Sequence, residues 1–357
     1  MIIMNNIGAI NIYFNKKLSA EEKIRISKLY SCLDIFDEKD KKCMLCGERV
    51  NGFCKSHSLP KFVLKTCSSN GKIRIGKTFQ NDSYNDVSGI GNTLIFTSIC
   101  DKCDNTFFQD YEHERVFFDK LSDTSINEIA IKNYLRYLHK QKIETAKFEK
   151  LLKLDVKHYE EKQFYENQLF LCKQNVIDIN KKLLIFKNRK VEHNFYIIDE
   201  IDLDYSTEIA YQGFVTLTYG FDGLINNIYD YNLLTKMQQL GICIIPHSKG
   251  TKILLFCEEG LSRMKLFYKT FRKLSLDEKL YVLNYILLLY DEEWVVDASF
   301  NKKLNKETLM LINQHDTVFQ EAYYQHELIE TDKLIKVIKD IFELETSGNI
   351  YNFLKRK

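Results

Sequence analysis

Cys43-Met44-Leu45-Cys46-Gly47 and Cys100-Asp101-Lys102-Cys103-Asp104-Asn105 are the stretches whose reading decides the fold of the N-terminal third. Two thiolates separated by two residues grip one ion from a tight turn, and two such pairs complete a closed tetrahedral site at about 2.3 Å per bond. Gly47 lets the first pair turn back on itself, and the second pair stands where a β-branched run at 93–99 gives way to a helix. The pattern predicts a structural zinc ion on Cys43, Cys46, Cys100 and Cys103. The 53 residues from Gly47 to Ile99 exceed what a compact zinc ribbon needs, so the intervening chain carries something more.

Working outward, 357 residues suit two folded units joined by helices. A composition 45% hydrophobic and 28% charged, with two prolines and fourteen glycines, is globular and leaves little room for long linkers. The net charge of +2 excludes a polyanion-binding particle as a whole, so any nucleic-acid role needs a local patch. From Arg49 to Asn81 there are seven basic residues (Arg49, Lys55, Lys61, Lys65, Lys72, Arg74, Lys77) and no acidic one. The chain opens without a basic region ahead of an apolar stretch, and no apolar run is long enough to span a bilayer, so a cytoplasmic protein without membrane contact is expected. In a reducing compartment tight cysteine pairs imply metal, whereas Cys32, Cys54, Cys67, Cys172, Cys243 and Cys257 read as small buried hydrophobes.

The expected class is α+β: an N-terminal segment at 1–40, a zinc-binding module at 41–122, and a larger mixed helical and β domain at 123–357. Periodicity predicts a helix at 20–33, a small hairpin at the Asn51-Gly52 turn, a weak strand at 72–75 in a long loop, a strand at 93–99, and one helix from Asp101 to about Phe117. Beyond it, helices at 125–153 and 156–185, strands at 194–199 and 208–220, a hairpin of 241–246 with 251–258, and helices at 261–289 and 306–342 follow. No phosphate loop, dinucleotide fingerprint or nucleophile elbow occurs. A knuckle, a hairpin and a second pair at a helix start is the order of a treble clef.

Between the pairs lies Lys55-Ser56-His57-Ser58-Leu59-Pro60-Lys61-Phe62, and past them Tyr111-Glu112. With both cysteine pairs this order resembles the zinc-stapled branch of the HNH, or ββα-metal, endonucleases, most closely an uncharacterised group with Ser-His-x-x-Pro-Lys-Phe. The resemblance covers residues 43–112. It implies phosphodiester hydrolysis with His57 as general base and magnesium or manganese held at Asp104 with Asn105, since phosphodiesters yield only when a near-neutral base and a Lewis acid meet at one phosphorus. Glu112 is assigned a supporting role, because seven residues of helix separate it from Asn105 by about 10 Å. Asn92 takes the middle-asparagine position. The departure is Ser56, where many such sites carry an acidic residue or a second histidine.

Nucleic acid, DNA ahead of RNA, is the implied partner, with Lys55, Lys61 and Lys65 on its phosphates. A homo-oligomer or a partner protein would use the C-terminal domain, and the family implies a setting in phage or mobile-element defence. The alternative is a non-catalytic treble-clef module that binds nucleic acid or protein, and a third reading is a zinc staple for a helical scaffold. His113 and His139 read as surface residues, His247 as a turn residue, and Trp294 as a packing anchor.

Overall fold

The computed structural model describes residues 41–79, 87–119, 121–153, 159–188, 194–226, 237–300, 304–309, 311–312 and 350–356. The helix expected at 20–33 and most of the one expected at 306–342 lie outside them. The chain forms two compact units that interleave along the sequence. One comprises Met1–Ser56, Phe96–Phe107 and Tyr134–Arg189, the other His57–Ile95, Phe108–Asn133 and Lys190–Lys357.

Along the chain come β1 (Ser56–His57), α1 (Lys61–Thr66), β2 (Lys72–Ile75), β3 (Ser88–Gly89) and β4 (Ile95–Phe96). Three short helices follow, α2 (Asp101–Phe107), α3 (Gln109–Glu112) and α4 (Glu114–Asp119). Then come the long α5 (Asp123–Lys153) and α6 (Tyr159–Asn188). β5 (Phe195–Leu203), β6 (Ile209–Val215), β7 (Tyr219–Gly220), β8 (Gly223–Leu224), β9 (Leu240–His247) and β10 (Gly250–Glu258) precede α7 (Ser262–Phe271), α8 (Leu276–Tyr290) and β11 (Val295–Asp297). The mixture is α+β, and no helix among the described residues is long and apolar enough to cross a membrane.

In the first unit, α6 buries Tyr165, Cys172, Ile179 and Phe186, seven residues apart, and Phe186 stacks on Tyr134 of α5 at 5.8 Å. The dense Lys/Glu pairing that predicts two packed helices is the cause of both, with Lys173 reaching Glu149 at 2.9 Å.

The second unit is built on a seven-stranded antiparallel sheet in the order β3-β2-β11-β6-β9-β10-β5. β9 and β10 are buried along nearly their whole length, as central strands covered on both faces are. α8 starts at a capping box, Ser275 with Glu278, and buries nearly every residue from Leu280 to Tyr290. Trp294 is fully buried, stacked on Phe79 at 5.3 Å and tilted against Phe353 at 5.1 Å, which bears out the packing anchor. β2, the weak strand of the expected loop, pairs with β11, Ile75 opposite Val295. The segment between the two cysteine pairs therefore contributes strands to this sheet.

Three expectations are corrected. The Asn51-Gly52 turn makes no hairpin: the knuckle itself does, through an antiparallel bridge of Lys42 with Arg49. The strand at 93–99 shrinks to Ile95–Phe96, because Leu94 takes a left-handed φ of 52°. The helix from Asp101 breaks at Phe108 and again at His113. The first break has a cause in the Glu128 carboxyl group, whose oxygen accepts the N–H of Tyr111 at 3.1 Å and so starts a new helix where the old one would have continued.

Candidate metal centre and histidine strand

The first unit brings the four cysteines together. Their sulfurs all lie within 4.8 Å of one another, and Cys46 and Cys100 are 4.0 Å apart. Zinc bonds of about 2.3 Å arranged tetrahedrally set sulfurs about 3.8 Å apart, so this cluster can hold a zinc ion. The local chain explains the convergence. Gly47, at φ 78°, returns its N–H to Cys43 O at 2.8 Å, closing the first knuckle. Met44 N–H donates to Ser98 O at 2.9 Å and Cys54 N–H to Ile99 O at 2.9 Å, which sets the knuckle beside the strand that leads to the second pair. The N–H of Cys100 points at Cys43 Sγ, 3.3 Å away, a donor suited to a thiolate. Burial and the neighbouring cysteines push the Cys103 thiol well above its ordinary value, the crowding that a bound cation relieves.

Two supports of the knuckle carry no sequence signal. Lys187, at the end of α6, donates to the Leu45 carbonyl. His139, expected at the surface, is instead half-buried on α5 with Nδ1 2.7 Å from Ser98 Oγ. Burial lowers its pKa to about 4, with Arg136 and nearby lysines adding to the effect, so at neutral pH the ring is uncharged and its bond to Ser98 is between neutral partners.

Ser56 and Asp104 also meet in this unit. The fully buried Ser56 Oγ donates to Asp104 Oδ1 at 2.6 Å, a short charge-assisted bond from the end of β1 to the first turn of α2. Asp104 is half-buried and Asn105 exposed. Lys55, just before Ser56, is exposed. Among the described residues no second group of three or more metal-ligating side chains converges.

The second unit holds His57, 8% exposed, with Nε2 3.1 Å from the Ile90 carbonyl. A carbonyl only accepts, so the ring proton sits on Nε2 and Nδ1 is the basic nitrogen. The acceptor comes from the short turn Ile90–Asn92, whose Asn92 is itself exposed, so the backbone of the turn orients the histidine. Ser58 N–H donates to Leu94 O at 3.0 Å, and the left-handed Leu94 is the one described non-glycine residue at positive φ. Strain of that kind costs about 1–2 kcal/mol and persists only where the surroundings enforce it. Lys61 and Lys65 stand one turn apart on the exposed face of α1, while Val63 and Leu64 face inward.

Tyr111-Glu112 lies in the second unit as well. Glu112 pairs at 2.8 Å with Lys132, which is fully buried and sits 4.1 Å over the Phe108 ring. Glu128, beside them, is pushed by burial up to about 8. This pairing ties Glu112 to α5 within the second unit. His113 is exposed, and His247 closes the β9–β10 turn with its ring on Phe118 at 3.9 Å. Cys67, Cys172, Cys243 and Cys257 are buried apolar fillers, Cys54 is partly exposed, and Cys32 lies outside the described residues.

No family model, no curated protein and no solved structure matches the chain.

Proposed function

We propose that the chain is a metal-dependent endonuclease of the zinc-stapled HNH kind, hydrolysing phosphodiester bonds of nucleic acid in a phage or mobile-element defence setting. The observation that carries the reading is His57, held by its Nε2–H on the Ile90 carbonyl with Nδ1 as the basic nitrogen. In the neutral ring that tautomer leaves Nδ1 to take a proton, as a general base must. In this reading the four cysteines hold a structural zinc ion within a treble-clef ββα module, and His57 Nδ1 takes the proton of the attacking water. Asp104 with Asn105 would hold magnesium or manganese, hard ions suited to oxygen donors, which supply Lewis-acid stabilisation to the phosphoryl group and leaving oxygen. Lys55, Lys61 and Lys65 neutralise phosphates, so affinity falls with salt at a slope of about −3 in log–log form for three contacts.

A second reading, a non-catalytic module that binds nucleic acid or a protein, is favoured by Ser56. No carboxylate precedes the histidine, and the Ser56 hydroxyl already engages Asp104. Supercoiled plasmid incubated with the zinc-loaded protein and magnesium or manganese separates the two. Under the nuclease reading nicking falls by about 10²–10⁴-fold in His57→Ala. It is unchanged in Lys273→Ser, an exposed change outside the proposed site. Binding without nicking in both metals selects the second reading, and neither binding nor nicking leaves only the zinc staple.

A further inference from the structure

The Ile90 carbonyl can accept the His57 Nε2–H only while the Ile90–Asn92 turn keeps one conformation, and Gly91 and Asn92 of that turn are exposed. What fixes the turn lies at its ends. Thr93, which closes it, is 1% exposed, and its hydroxyl donates to the Gly89 carbonyl at 2.9 Å, bridging the turn from end to start. With that proton spent on a carbonyl, the 2.8 Å contact between the Ser88 and Thr93 hydroxyls has Ser88 as its donor. Ser88 O–H, Thr93 O–H and the Gly89 carbonyl thus form a relay in which each bond polarises and strengthens the next.

The Gly89 carbonyl and the Ile90 N–H belong to one planar peptide unit. Thr93 holds its oxygen and the Gly71 carbonyl holds its hydrogen at 3.1 Å, so the unit just ahead of the Ile90 carbonyl is gripped at both polar atoms. Gly71 stands where β2 begins, and β2 pairs with β3, Lys72 opposite Gly89 and Ile73 opposite Ser88. On the other side Leu94, next after Thr93, accepts the Ser58 N–H at 3.0 Å, beside the histidine itself. None of these bonds comes from the exposed Asn92 side chain. We infer that Thr93 is the positioning residue of His57: its hydroxyl fixes the Gly89–Ile90 peptide and so aims the Ile90 carbonyl at Nε2, leaving Nδ1 as the base. The catalytic meaning of that position rests on the nuclease reading of His57, whereas the orientation of the ring does not.

Thr93→Val keeps the shape of the side chain without its hydroxyl, and Thr93→Ser keeps the hydroxyl. The zinc-loaded full chain, isotopically labelled on its histidine ring nitrogens, is read in a one-bond proton–nitrogen spectrum at neutral pH. A ring N–H appears there only if a hydrogen bond slows its exchange with water. The His57 signal, assigned by its loss in His57→Ala, is expected in the wild type and in Thr93→Ser and absent in Thr93→Val. A wild type without the signal overturns the inference, as does a signal that survives in Thr93→Val. A signal lost equally in Thr93→Ser overturns it too, and assigns the effect to packing. Should valine unfold the chain, Ser88→Ala decides instead, because it removes the donor to Thr93: a broadened signal supports the relay and an unchanged one overturns it. Under the nuclease reading Thr93→Val also lowers the kcat of plasmid nicking roughly 10–100-fold with KM unchanged, the effect of misaiming a base without touching the substrate. A wild type that shows the signal and loses it in Thr93→Val, but nicks nothing in either metal, upholds the positioning of His57 and sinks the nuclease reading alone.

Discussion

Replacing Gly47 by alanine tests the metal centre through its backbone rather than its ligands. Gly47 sits at φ 78°, in the left-handed region, and a Cβ built there meets nothing within 4 Å. The added methyl therefore has room, and any cost is conformational. An L-residue in the left-handed region costs about 1–2 kcal/mol. Cys43 and Cys46 reach one ion only when the chain reverses between Cys43 O and Gly47 N–H, 2.8 Å apart, so the cost falls on zinc affinity. That amounts to binding weaker by roughly 5–30-fold. Asparagine adopts the same region readily, so Gly47→Asn should recover most of the loss. The assay is a competition titration of reduced, metal-free protein against a chromophoric zinc chelator. An alanine variant that binds zinc as tightly as the wild type, or an asparagine variant as weak as alanine, refutes the assignment of this turn to the metal site.

Two further outcomes follow from the second unit. Trp294→Ala removes a fully buried indole from between Phe79 and Phe353 and should cost about 3–5 kcal/mol, read as a lower urea midpoint with the slope unchanged. An unaltered midpoint would mean the indole is not a packing anchor. For Glu128, burial raises the carboxyl from 4.5 to about 8 in the folded state, so between those values the folded chain holds a proton that the unfolded chain has lost. Its contribution is fully present below about pH 4.5 and is lost as pH rises through about 8, and Glu128→Gln should flatten the fall of melting temperature across that window. An identical pH profile in the two proteins would argue against a buried, protonated Glu128.

The parts of this molecule that could be read from residue order are those whose cause is local. Cys-x-x-Cys spacing brought the right four thiols to one point, and Lys/Glu pairing foretold α5 and α6 to within a few residues. The hairpin of β9 and β10 followed from β-branched runs around a short polar turn. What escaped depends on distant partners. β2 is a strand because it pairs with β11, more than two hundred residues away in sequence, and the helix after Cys103 stops because the Glu128 carboxyl group of α5 takes the Tyr111 N–H. His139 passed for a surface residue since nothing nearby in sequence announces Ser98. Ser56 was legible as a departure but not as a donor to Asp104, a pairing that only folding creates.

The pairing of β2 with β11 also bears on inheritance. The cysteine-bounded stretch looks like a cassette that recombination could lift whole and set into another gene. Yet two of its strands complete a ladder whose next rung is Val295–Asp297. A fragment cut at 122 would carry those strands away with an open edge, exposing N–H and C=O groups that seek other chains. Shuffling at that border is therefore penalised. The zinc-bearing stretch and the C-terminal third of this chain are bound to evolve as one heritable piece.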